Sequence, residues 1–159
     1  MAQSKRKRRS GTPELSIPRS KTGAMDDSAY AALAQFRLQV RTFLAFSETA
    51  AQRAGLTPQQ HQALLAIRGF ALPEPASIGD VARFLLIRHH TAVGLIDRMV
   101  KLGLIKRVAD PQDARRVLVK LTAKGEQKLR ALSRISLEEL RAASPALSRI
   151  LRTFRSKAR

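Results

Sequence analysis

The stretch from Ser77 to Thr122 reads SIGDVARFLLIRHHTAVGLIDRMVKLGLIKRVADPQDARRVLVKLT, and its apolar residues change period twice. Ile78, Val81, Ala82 and Leu85 recur at helical spacing. They follow Ser77-Ile78-Gly79-Asp80, which fits a capping box with Asp80 in the place usually held by Glu or Gln. The pattern breaks over Leu86 to Arg88 and restarts at Ala92, Leu95, Ile96 and Met99, spaced i, i+3, i+4 and i+7, until Gly103 supplies a C-terminal cap. Two short helices joined by a tight turn, the second from about His89 to Leu102, form a helix-turn-helix. Beyond Gly103 the pattern is that of strands: Leu104 to Val108, a polar turn from Ala109 to Arg116 holding Pro111, then Val117 to Leu121. Two strands around a basic loop make a wing.

Working outward, Leu33, Phe36, Val40, Phe43 and Leu44 predict a long amphipathic helix from Tyr30 to about Arg53. Gly55 sits where a cap belongs, and Thr57-Pro58-Gln59-Gln60 opens a second helix to about Gly69, expected to bury Leu64, Leu65 and Ile67. Ala71 to Ala76, with prolines at 73 and 75, reads as a link. On the far side, Thr122 caps a helix carrying Leu129, Leu132, Ile135 and Leu140 to about Ala143. Ser144-Pro145 is expected to interrupt it, so that Leu147, Ile150, Leu151 and Phe154 define a separate short final helix. Residues 1–26 contain Lys5-Arg6-Lys7-Arg8-Arg9 and almost no periodic apolar residues, which predicts a disordered basic arm.

The fold class is therefore mainly α with a small β-hairpin. A domain over residues 27–156 comprises a winged helix-turn-helix at 57–122, flanked by helices at 30–56 and 123–156. The flanking helices carry more apolar stripe than one small winged helix can cover, which argues for pairing across a two-fold into a homodimer. Packing of the same stripes into a bundle within one chain is the alternative.

The 159 residues carry 30 Lys and Arg against 12 Asp and Glu, a formal charge of +18 that suits a polyanionic partner. Residues 1–21 hold seven of those bases and one acid, so the remainder is basic without the arm. Cysteine is absent, which excludes disulfides, thiolate metal sites, cysteine nucleophiles and thiol redox switches. No apolar run approaches the roughly 20 residues that span a bilayer, and the N-terminus lacks the apolar core of a signal peptide. A cytoplasmic protein without membrane attachment is expected.

Double-stranded DNA is the expected partner, because a helix in the major groove presents only its outward face. On the helix after the turn that face offers His89, His90, Val93 and Asp97, with Arg88, Thr91, Gly94 and Arg98 at its edges. Imidazole can donate to or accept from base edges, and Val93 can pack on a thymine methyl. A glycine inside a helix costs about 1 kcal/mol against alanine, so Gly94 implies close approach of the backbone to DNA or to a neighbouring helix. In the wing, Asp113 two residues before Arg115 suggests a stiffening ion pair that leaves Arg116 as the probe of the minor groove. Arg83, Arg88, Arg98, Lys101, Lys106 and Arg107 suit phosphate contacts, which fix register without reading sequence. His89 and His90 are adjacent and point about 100° apart, and His61 is the only other histidine. No metal, cofactor or catalytic site is expected.

Leu95-Ile96-Asp97-Arg98-Met99 through Gly103-Leu104-Ile105, the wing Asp110-Pro111-Gln112-Asp113-Ala114-Arg115 and Leu121-Thr122-Ala123-Lys124-Gly125, taken in this order, resemble the MarR (multiple antibiotic resistance regulator) family over roughly residues 30–156. The resemblance implies a homodimeric transcriptional regulator, commonly a repressor, held by its terminal helices on a pseudo-palindromic operator, with room for a small-molecule effector. Family members often place Ser, Thr or Arg where this chain has Val93 and Gly94, which leaves fewer side chains to read bases. An architectural, nucleoid-type protein with little sequence preference is the competing function. An enzyme finds no support in any catalytic motif.

Overall fold

The computed structural model describes residues 26–71, 75–113 and 116–156. The expected arm lies outside these residues except for Asp26, whose carboxylate caps the first helix by accepting the Ala29 N–H at 2.9 Å. That helix, α1, runs Asp27–Arg53, and α2 follows at Pro58–Gly69. The Thr57 capping box is complete: its hydroxyl accepts the Gln60 N–H at 3.2 Å and its own N–H donates to Gln60 Oε1 at 2.9 Å. Next come α3 (Ile78–Phe84), α4 (His89–Lys101), β1 (Ile105–Ala109), β2 (Val117–Leu121) and α5 (Ala123–Ser156).

The strands pair antiparallel, with Ile105 opposite Leu121 and Ala109 opposite Val117. Alternation sends Ile105 and Val119 inward. They close a core with Leu64 and Ile67 of α2, Val81 of α3, Leu95, Ile96 and Met99 of α4, and Leu129 and Leu132 of α5. A short bridge from Ser77 to Leu118, with the Val119 N–H donating to the Ala76 carbonyl at 2.8 Å, seats the hairpin against the start of α3.

Two expectations need correction. The C-terminal helix does not break at Ser144-Pro145, for α5 is continuous with Pro145 inside it. Proline withholds one N–H from the Arg141 carbonyl, but packing along α1 on both sides of that point holds the helix together. Near its end the Phe154 ring meets Phe36 of α1 edge to face at 6.2 Å. Leu65, expected inside, is 45% exposed, because α2 turns Gln60, His61, Ala63, Leu64 and Ile67 inward instead. In α1 the buried residues are the small ones, Ala32, Ala50 and Ala51, while Leu33, Leu38, Val40 and Leu44 remain exposed.

The start of α5 is bolted to the exit of α4. Gly103, at φ 67°, turns the chain. Thr122 then donates its N–H to the Leu104 carbonyl at 3.0 Å, and its hydroxyl lies 2.6 Å from the Gly103 carbonyl and 3.1 Å from that of Leu104. The same hydroxyl accepts the Gly125 N–H at 3.2 Å. Gly125 is buried, and a Cβ there would land on the Leu104 carbonyl. Gly125→Ala should therefore destabilise the domain by about 3 kcal/mol, the range for forcing atoms into a packed interior, as read by urea denaturation. His61, buried with Nδ1 3.5 Å from the Ser47 hydroxyl, has its pKa lowered by burial. Its unfolded pKa of about 6.5 is then the higher one, so the unfolded state takes up the proton first and stability is lost as pH falls below that value. Between pH 7.5 and 5.5 the wild-type midpoint should decline, and His61→Gln should flatten that decline.

Candidate nucleic-acid interface

The interface is built on the α3 capping box. The Ser77 hydroxyl accepts the Asp80 N–H at 3.2 Å, while Asp80 Oδ2 accepts the Ser77 N–H at 2.9 Å and its hydroxyl at 2.7 Å. Burial would raise the Asp80 pKa, but the Ser77 hydrogen bonds and the charges of Arg83 and Arg116 outweigh it and hold the carboxyl below its usual range. From α3 the chain turns through Leu86, whose φ of 53° is left-handed, and the Ile87 N–H closes the turn on the Ala82 carbonyl at 3.0 Å. A leucine there costs roughly 1–2 kcal/mol. The turn brings α4 to pack against α3.

Ala92, Leu95, Ile96 and Met99 are buried, so the inward face of α4 is the one the spacing predicts. Arg88 is the N-cap and makes no side-chain cap bond. His89, His90, Thr91, Arg98 and Lys101 are exposed. Val93 is half-buried against the edge of the core, which removes part of its surface from any base contact. No neighbouring helix explains Gly94: apart from flanking residues and the helix's own backbone, the one atom within 4 Å of its missing Cβ is Arg98 Nη1, at 3.7 Å.

Three acids of this region are each tied to an arginine. Arg83 pairs with Asp80, and Arg107 of β1 reaches across to Asp97 of α4. Asp110 is the organiser of the wing. Its side chain is 3% exposed, and it accepts the N–H groups of Gln112 at 2.9 Å and Asp113 at 3.4 Å. Arg116 Nη1 lies 3.4 Å from Asp110, and Nη2 lies 4.0 Å from Asp80. Arg116 therefore fastens the wing to the N-terminus of α3 while its side chain stays 44% exposed. Arg115, and with it the expected Asp113 to Arg115 pair, lies outside the described residues. His89, Val93, Arg107, Asp113 and Arg116 do converge, lining a groove of about 720 Å³ between α4 and the wing. Among the described residues no three His, Asp or Glu side chains gather as a metal ion would require, and no helix is long and apolar enough to cross a membrane.

Residues 54–116, from the end of α1 through the wing, match the MarR family. This stretch is similar to the MarR family, and its fold is a winged helix-turn-helix. The transcriptional activatory protein BadR of Rhodopseudomonas palustris is 37% identical over 76 residues, 48% of this chain and 43% of that protein. The chain thus spans under half the length of the curated relative it matches. A MepR–DNA complex from S. aureus shares the fold with a TM-score of 0.62 at 20% identity, covering 81% of this chain and 95% of that one. Bordetella bronchiseptica BpsR, described for regulation of its DNA binding by 6-hydroxynicotinic acid, has a TM-score of 0.56 at 23% identity, covering 78% and 98%. At these identities the two structures speak for the fold alone.

Within the MarR-type wing, sequence reasoning missed Asp110 and gave its work to Asp113. The signal was available, since Asp before Pro at the head of a turn is the pattern of a carboxylate bonding the backbone two residues on. Asp110→Ala should cost about 2 kcal/mol, the range for hydrogen bonds to a charged group, and should accelerate amide exchange in β1 and β2 more than in α2.

Proposed function

We propose that this protein is a DNA-binding transcription regulator that acts as a homodimer on a pseudo-palindromic operator. One observation carries the reading: Asp80, Asp97 and Asp110, carboxylates that would repel phosphate, are each engaged by an arginine. What α4 and its cap turn outward is then Arg88, His89, His90, Thr91, Arg98 and Lys101. A surface so composed fits the floor of a major groove with phosphates at its sides. Lys101 and Arg88 are its phosphate contacts, with Arg83 and Arg107 contributing the charge left by their pairing. The wing arginines Arg115 and Arg116 enter the minor groove, and Lys5 to Arg9 add salt-sensitive phosphate contacts.

The dimer rests on the uncovered apolar surface. Leu33, Val40 and Leu44 of α1 and Leu137, Leu140 and Leu151 of α5 are exposed although α1 and α5 already pack together. A second copy covers such a stripe, and two recognition helices then fall about 34 Å apart. Covering an operator represses in the simplest case; BadR is named an activator, so the sign follows operator placement rather than fold. The cleft of about 300 Å³ lined by Ile67, Arg68, Val119, Lys120, Leu121 and Glu126 joins wing to α5 and offers a small-molecule effector a place to act.

Selection of genomic fragments by the purified protein, at low and at physiological salt, tests the reading. A small set of related, two-fold symmetric sequences that persists at higher salt is the expected result. Binding that is equally tight on random DNA and collapses with salt would establish the architectural function instead.

A further inference from the structure

Each residue of α4 turns the helix by about 100°. Ala92, Leu95, Ile96 and Met99 define the inward direction. On that wheel Gly94 falls about 30° from the outward direction, whereas the Cα–Cβ bond of Arg98 leaves about 70° to one side of it. By bond direction alone Arg98 belongs to the flank, where phosphates lie. Its side chain does not stay there. Helical side chains lean toward the N-terminus and cover the preceding turn, and Arg98 Nη1 sits 3.7 Å from where a Gly94 Cβ would be. The guanidinium thus lies across bare backbone at the centre of the outward face.

The surroundings keep it available in that position. The carboxylate of its chain neighbour, Asp97, is held by Arg107 of β1. Gly94 presents no side chain, and His90, one turn earlier in the same row, is exposed. A glycine at this point costs helix stability, and no packing against another helix accounts for it. The gap and the arginine that fills it are one device.

Resting on the DNA-binding reading above, we propose that Arg98 is a specificity-determining residue that reads a guanine in each half-site. Its two N–H groups donate to guanine O6 and N7, the acceptor pair that only this base offers in the major groove. Gly94 is the positioning residue: a methyl group there would only touch the guanidinium, at 3.7 Å, whereas a larger side chain would compete for the space it occupies.

Operator fragments from the selection, random DNA of equal length and the variants Arg98→Lys and Arg98→Ala provide the test. Arg98→Lys keeps the charge and loses the planar fork, so its loss on random DNA should be smaller than its loss on the operator. Arg98→Ala should lose about 10- to 100-fold on the operator and should no longer select guanine at one symmetric position, with Arg98→Lys in between. Replacing that guanine by 7-deazaguanine, which lacks the N7 acceptor, should weaken wild type and leave Arg98→Ala unaffected. Thermal melting checks that both variants fold. If Arg98→Ala still selects guanine at that position, or weakens operator and random DNA equally, Arg98 is a phosphate contact and the inference fails while the regulator reading stands. A wild-type protein that selects no sequence overturns both.

Discussion

The carbonyl of Leu104 is where the two halves of the molecule are joined. It accepts from the Thr122 N–H and hydroxyl and lies against Gly125 so closely that no other residue fits there. Leu104 itself is buried, and its N–H closes the end of α4 on Met99. The backbone of one residue therefore fixes where α4 stops, where the wing begins and where α5 sets out. Lys124 adds a second tie by donating to the Leu102 carbonyl at 2.9 Å, and Lys128 a third, to the Ala54 carbonyl at 2.5 Å. Both lysines satisfy carbonyls at helix C-termini, where a positive charge is also favoured by the helix dipole.

Onto this frame the chain places its acids sparingly. With 12 acids against 30 bases, every carboxylate near the outward face of α4 would weaken attraction to a polyanion. Asp80, Asp97 and Asp110 are nonetheless retained, and each has structural work: capping α3, joining α4 to β1, and folding the wing turn. Pairing each with an arginine keeps the geometry they provide without leaving their charge facing outward. Partly exposed pairs of this kind add little stability individually. Their value lies in where they leave charge and in the angles they hold.

Much of this was legible in the sequence. The limits of α2, α4 and β2 follow from Thr57-Pro58, from the Ala92 to Met99 row ended by Gly103, and from Val117 to Leu121, because capping and period are local properties. The failures are all tertiary. Pro145 predicts a break that packing on α1 overrides. Leu65 looks like core until α2 is rotated by the demands of Gln60 and His61, both buried. In the interface, Arg116 cannot be recognised as a fastener without the fold that brings Asp80 and Asp110 together, and the path of Arg98 over Gly94 depends on a rotamer that spacing does not encode. Helix-wheel reasoning places Cβ atoms, and a long arginine ends well away from its own.

The uncovered stripe on α1 and α5 and the Leu104 junction bear on each other. In the proposed dimer the two copies meet through helices whose large apolar residues find no cover in their own chain. Since α5 grips the exit of α4 at Leu104, a tilt of α5 at the dimer contact moves the recognition helix with it, and the separation of the two recognition helices becomes a property of the dimer contact. The cleft between α2, β2 and α5 lies beside that lever, with Arg68 and Glu126 paired across it at 3.4 Å. A ligand anion that drew Arg68 from Glu126 would loosen α2 from α5 without touching the proposed DNA-reading face. Regulation of such a protein then needs no change at His90, Gly94 or Arg98, only a small rotation of the helix they share.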